Sequence, residues 1–259
     1  MKRALVTLNI GGNSLHPKSR ESFLNACDRW QCEFVEVTKP LAPVHPFFQK
    51  LKVYTLFSEP THILQLDADM MIREDMPTPF EVDPDVMHVV PARAGYCLEN
   101  VPRIIQGAWR RSCNVWIDHL AQNGIDCDMP DVIYHYLNAG FFLYGSHSFV
   151  EFYEDAWAVG ESMGFPTEHY PEQGLLSVLL HNFDIATCWL PGIYNCTAWK
   201  KLGLAPMEAF IYHYAGKQED YRRELIDATD YSTPDDNRLP KQFLETPQDR
   251  IFTLHLPGT

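Results

Sequence analysis

A chain of 259 residues with 46% hydrophobic content has the material for one large α/β domain, or one domain with a small appendage. Its formal net charge of −13 argues against a nucleic-acid partner, because binding a phosphate backbone needs a basic face. It does not argue against a nucleotide, since a bound metal reverses the sign locally. No apolar run approaches the ~18 residues that cross a bilayer, so no transmembrane segment is expected.

The opening Met1-Lys2-Arg3-Ala4-Leu5-Val6-Thr7-Leu8-Asn9 is basic and then apolar. Asn9 and Gly11-Gly12-Asn13 cut it too short for a signal peptide, and it reads as a first buried strand over 3–8. Periodicity then predicts a helix over 19–30, a strand over 33–37, and a helix over 47–57 with Phe47, Phe48, Leu51, Tyr54 and Leu56 at its apolar positions. Short strands follow at 63–66 and 88–91. Residues 96–130 hold Arg103, Arg110 and Arg111, an aromatic-rich helix around Trp109 and Trp116, and the acidic turn Asp126-Cys127-Asp128. They are expected to form a helical segment inserted beside the site, with room for acceptor contacts. A strand interrupted by Asn138 and Gly140 is expected over 136–144, and helices over 149–163 and 173–180. A single domain over 1–220 is expected, with a polar tail over 221–259 that wraps it or is partly disordered.

Alternating strands and helices predict a mostly parallel sheet with helices on both faces, and ligands at the carboxyl ends of its strands. Thr7, Asn9, Asp67 and Asp69 fall there. Seven cysteines without a Cys-x-x-Cys pair suit reduced thiols in a cytoplasmic protein. The glycosylation sequon Asn195-Cys196-Thr197 is read as chance in a chain without a secretory signal.

The most informative stretch is Leu66-Asp67-Ala68-Asp69-Met70, directly after the largely apolar His62-Ile63-Leu64-Gln65. Two carboxylates one residue apart at the end of a buried strand are costly to desolvate, so a positive charge is expected between them. A divalent metal carrying a diphosphate meets that need, because hard cations take carboxylate and phosphate oxygens together. The competing reading is a strand that ends in a solvated turn, where Asp is common.

Further segments follow in order: Ala4-Leu5-Val6-Thr7-Leu8, Lys50-Leu51, the Asp pair, Leu137-Asn138-Ala139-Gly140, Glu172-Gln173-Gly174-Leu175-Leu176, Leu190-Pro191-Gly192-Ile193-Tyr194-Asn195, and Tyr212-His213-Tyr214-Ala215-Gly216-Lys217. Together they resemble the glycogenin-like retaining glycosyltransferases, glycosyltransferase family 8, of the GT-A fold. The resemblance implies a Mn²⁺ site on Asp67, Asp69 and His213, with Mg²⁺ the alternative ion; for His213 the competing reading is an ordinary packed histidine. It implies uracil and ribose contacts at Thr7 and Asn9, although Asn9 serves equally as a strand-end cap. Lys50 and Ala68 would lie near the donor. Asn138 and Ala139 would face sugar hydroxyls with Gly140 making room, unless the three form a β-bulge. Gly216 would admit the diphosphate, and Lys217, otherwise a solvated lysine, would share the leaving-group charge. Gln173 would face the anomeric carbon.

Two departures from the family pattern stand out. Glu172 replaces an Asp, moving its carboxylate by roughly 1.5 Å. The usual Lys-Pro-Trp is absent, since Lys217 follows Gly216 directly. The expected activity is transfer of a hexose from a UDP-sugar to a glycan or other hydroxyl acceptor with retention. The alternatives are a sugar-phosphate nucleotidyltransferase and a non-catalytic nucleotide-sugar-binding homologue. A homodimer is left open.

Overall fold

The structure is a computed structural model that describes residues 1–10, 15–95, 101, 103–167, 171–197 and 209–214. Strand β1 (Lys2–Leu8) buries four consecutive residues, Ala4 to Thr7, as a strand covered on both faces must. It lies between β2 (Glu33–Val37) and β3 (Thr61–Asp67), parallel to both. After β3 the chain leaves the sheet through β4 (Met70–Ile72), then returns as β5 (Met87–Pro91), β6 (Leu137–Gly145) and β7 (Thr187–Trp189). The six-stranded order is β2-β1-β3-β6-β5-β7, with β6 antiparallel to its neighbours β3 and β5. The expected mostly parallel sheet is present, and β6 is its reversed strand.

Two apolar layers cover the sheet. On one side α4 (Arg103–Gln122), α5 (Val150–Ser162) and α6 (Pro171–Asn182) bury Trp116, Tyr153 and Leu176 against Val6, Ile63 and Phe142. The segment expected as an insertion thus supplies α4, and Trp116 donates from Nε1 to Pro171 O at 2.7 Å. On the other side α1 (Pro17–Trp30) buries Phe23, Ala26 and Trp30 against Leu5 and Leu64. A small second sheet joins this layer, β4 pairing with β9 (Ile211–His213) and β9 with β8 (Cys196–Thr197). Among the described residues no helix is long and apolar enough to cross a membrane, and Cys27, Cys32, Cys113, Cys127, Cys188 and Cys196 are unbridged.

Two segments depart from their expected shape. Helix α1 begins at Pro17, earlier than the apolar pattern suggests, because proline suits the first helical position and the His16 ring accepts from Lys18 N. The helix expected over 47–57 is a single α-turn, α2 (Pro46–Gln49), followed by 3-10 turns over Lys50–Leu56. Buried Gln49 marks the change: its amide bonds the backbones of Leu41, Ala42 and Val44, drawing the preceding loop across the helix. The tighter winding keeps Lys50, Leu51, Val53 and Tyr54 buried. Lys52 is only half-buried, and its Nζ sits 4.4 Å from the Trp157 ring centroid.

Strand β6 carries an irregularity where Asn138 and Gly140 were expected to interrupt it. Leu137 and Ala139 face the α4–α6 layer, and so do Phe142 and Tyr144, so one extra residue lies between the pairs. The pairing with β5 shifts register between Val89 and Pro91 at the same level. Asn138 Oδ1 accepts from Gly140 N at 3.0 Å, supplying a partner within the bulge.

Candidate active site

The end of β3 positions the first two functional groups. Asp67 is its last residue; the turn through Ala68 and Asp69 then feeds β4, whose Met70 pairs with His213 of β9. Tyr214 N donates to Asp69 O at 2.9 Å, tying the turn to the strand that carries the histidine. His213 Nε2 is 3.3 Å from Asp69 Oδ1 and 3.7 Å from Asp67 Oδ2. Each residue offers one ligand atom, and the three atoms lie within 4.8 Å of one another. A buried imidazole with two half-exposed carboxylates is a mixed nitrogen and oxygen donor set that suits a divalent transition metal.

The positive charge expected beside the carboxylates includes a lysine. Lys50, 8% exposed, reaches from the 3-10 segment to place Nζ 2.7 Å from Asp67 Oδ1. The same Nζ donates to Ala139 O at 2.8 Å and stands 4.0 Å from Glu172 Oε1. Burial works to lower the Lys50 pKa, but the Asp67, Glu172 and Asp69 charges outweigh it and hold the pKa above the ordinary lysine value.

Glu172 and Gln173 stand in the first turn of α6. Glu172 is 2% exposed, and burial pushes its carboxyl up to about 7 against the opposing pull of Lys50. Its Oε2 has no hydrogen-bond partner among the described residues. Gln173 Oε1 accepts from Ala139 N at 2.9 Å. Ala139 is therefore gripped on both its backbone groups, by Lys50 and by Gln173, which fixes the β6 bulge against α6. Gly140 is needed in that bulge for a definite reason: a Cβ there would collide with Met70 Cε and fall 2.7 Å from His213 Cε1. The space that the glycine leaves is filled by the Met70 side chain and by the imidazole of the candidate metal group.

Other expected site residues stand apart from this cluster. Thr7 is fully buried in β1, with Oγ1 lacking a partner among the described residues. Asn9 donates from Nδ2 to Glu36 Oε1 at 2.9 Å, and Glu36 also meets Arg20 at 3.3 Å. The register places Leu8 beside Asp67, so Thr7 and Asn9 share the carboxyl end of the sheet with the Asp pair. Gly216 and Lys217 lie outside the described residues.

One residue without an assigned role in the sequence reading enters the site. Asn195, fully buried, has Oδ1 2.9 Å from His213 Nδ1. Its place in a segment resembling family 8 was visible, but nothing in that segment announces a histidine partner. Asn195 and Cys196 of the sequon are thus buried inside the fold.

No family model and no curated protein matches the sequence. Solved structures do match, glycosyltransferases among them. A glycosyltransferase involved in glycosylation of the major capsid of PBCV-1 matches with a TM-score of 0.56 at 12% identity, over 88% of this chain and 100% of that one. The glycosyltransferase GlyE of Streptococcus pneumoniae TIGR4 matches with a TM-score of 0.56 at 14% identity, over 89% of this chain and 61% of that one. The galactosyltransferase LgtC, in complex with donor and acceptor sugar analogues, matches with a TM-score of 0.54 at 12% identity, over 90% and 98%. The sheet with its reversed strand, the small second sheet and these likenesses define the fold as GT-A type. At such identities the likeness concerns the fold.

Proposed function

We propose that the chain is a metal-dependent retaining glycosyltransferase of the family 8 kind, moving a hexose from a UDP-sugar to a hydroxyl of a glycan or similar acceptor. The observation that carries this reading is the convergence of Asp67, Asp69 and His213 at the carboxyl end of β3 in a GT-A fold. Those three residues would hold Mn²⁺, or Mg²⁺ as the alternative. Bound there, the ion would supply Lewis-acid neutralisation of the donor diphosphate.

The other assignments follow from chemistry and place. Lys50 balances Asp67 and keeps cationic charge beside the donor. Glu172, with a carboxyl near neutrality, can accept from or donate to a sugar hydroxyl. Gln173 presents its amide beside Ala139 and is assigned to the anomeric carbon. Asn138, Ala139 and Gly140 shape the sugar subsite, Thr7 and Asn9 the uracil and ribose side, and Gly216 and Lys217 the diphosphate. Among the described residues, Asp67 and Glu172 both flank Lys50 and so do not form the free carboxylate pair of retaining glycosidases. Following the resemblance to family 8, we assign a front-face route, in which the leaving phosphate takes the acceptor's proton. The catalytic unit is a single domain over 1–220, with acceptor choice residing in the segment around Trp109 to Asp128 and in the tail after Arg222.

The test is UDP release from a panel of UDP-sugars, with Mn²⁺ and with chelator, on wild type and Asp69→Asn. The expected outcome is metal-dependent release from one donor, falling roughly 10²–10³-fold in the variant as a transition-state stabiliser is removed. Stabilisation by a donor without turnover, with candidate acceptors present, would indicate a binding protein. No response to any UDP-sugar would sink the nucleotide assignment.

A further inference from the structure

Asn195 closes the 3-10 turn Gly192–Tyr194, and its own N–H donates to Gly192 O at 3.0 Å. The turn packs onto α3 (Ala92–Gly95) so closely that a Cβ on Gly192 would overlap Ala94 O. The next residue, Cys196, pairs with Tyr212, so Asn195 enters β8 beside the strand that carries His213. From this fixed point the fully buried side chain puts Oδ1 2.9 Å from His213 Nδ1, while Nε2 on the far side of the ring faces Asp69 and Asp67. Gly140 lies against the ring edge between the two nitrogens, where a Cβ would fall 2.7 Å from Cε1 and 3.0 Å from Nδ1.

We propose that Asn195 is a positioning residue for the metal group, selecting the His213 tautomer that can ligate. A metal binds imidazole only through an unprotonated nitrogen, and the bond made by the other nitrogen decides which one that is. An amide oxygen at Nδ1 accepts Nδ1–H and leaves the lone pair on Nε2, the nitrogen aimed at both carboxylates. The reverse amide orientation would donate to Nδ1 and force the proton onto Nε2, closing the site to a metal. Asn195 Nδ2 has no partner among the described residues, so no second bond there competes with the one to His213 for the amide's orientation. This inference rests on the metal-dependent reading above and names the residue that makes His213 a ligand.

The experiment measures Mn²⁺ binding by calorimetry, thermal unfolding, and the His213 tautomer by ¹⁵N spectroscopy of the metal-free protein under conditions where the ring is neutral. Wild type, Asn195→Asp, Asn195→Leu and Asn195→Ala are compared. In wild type the proton is expected on Nδ1. In Asn195→Leu and Asn195→Ala the proton is expected to move to Nε2, and Mn²⁺ affinity to fall about 10–100-fold, as for other residues that orient metal-ligating histidines. Asn195→Asp, which keeps an oxygen at the same place, should retain the wild-type tautomer and binding. Folded Leu and Ala variants with unchanged tautomer and affinity would overturn the role of Asn195 and leave the metal reading standing. Wild type that binds no Mn²⁺ would overturn both. If both apolar variants unfold, a wild-type ring protonated on Nε2 overturns the proposal by itself.

Discussion

The two ends of β3 bury ionisable groups of opposite character. At the carboxyl end Asp67 is matched by Lys50 and faced by His213, and a second acidic group, Glu172, shares the same lysine. At the amino end His62 is 4% exposed against the Phe80 ring, with Nε2 unpartnered among the described residues. Burial, followed by His88 and Arg3, depresses its pKa to about 4, with Asp83 pulling the other way. His88 is depressed as well, chiefly by burial. One end keeps charge inside the protein by compensating it; the other keeps its histidines neutral. The difference separates a cluster that holds charge by compensating it from a core that excludes charge, along a single seven-residue strand.

The sharpest way to break that contrast is Lys50→Met. It would leave Asp67 and Glu172 facing each other without their cation, and removing one partner of a buried ion pair costs about 3–5 kcal/mol. Urea unfolding should show a loss of that order at neutral pH; a loss below about 1 kcal/mol would mean that solvent already screens the cluster. At the other end His62→Phe is expected to act on the pH profile. With a folded pKa near 4 and an ordinary unfolded value, the unfolded chain binds more protons between the two. Stability from His62 is therefore present above about pH 6.5 and lost as pH falls through 4, on the order of 3 kcal/mol at the acid end. His62→Phe should flatten this limb, leaving the contributions of His88 and His135, whose pKa values are also depressed, and of Glu172, whose raised pKa acts in the opposite sense. An acid limb as steep as wild type would show that His62 is not excluded from protons.

The mildest variant lies beside the strand that carries both ends. Thr7→Val replaces a buried hydroxyl that lacks a partner among the described residues with a methyl of similar shape. Its expected effect is a gain of about 1 kcal/mol in thermal or urea stability. A simultaneous loss of UDP affinity would show that the hydroxyl is reserved for donor binding, while lower stability without donor would reveal a protein partner.

Much of this architecture was legible because burial leaves a plain record in the sequence. The strand over 33–37 falls where expected, and Ile63 to Leu66 read as buried and are buried. The direction of β6 was not legible, since alternation of side chains is the same for parallel and antiparallel neighbours. Strands β4, β7, β8 and β9 are at most three residues long, too short for any period to register. The 3-10 segment was hidden by apolar positions that also suit an α-helix, and the decisive residue was Gln49, whose bonds run to loop backbone. Within the site, Asp67 and Asp69 announced themselves by their cost. The Lys50–Asp67 contact and the Asn195–His213 bond join side chains whose proximity only the folded sheet creates.

The pairing of β4 with β9 also has a kinetic side. It joins the strand after Asp69 to a strand that enters the chain near its 213th residue, so loop closure over most of the domain precedes the last ligand. Long-range contacts of this kind form late and slowly. During synthesis the two carboxylates would emerge and fold onto their sheet well before His213 leaves the ribosome, with Lys50 already present to hold Asp67. Lys50 would thus balance Asp67 before His213 arrives, and the candidate metal group would be complete only as the small second sheet closes.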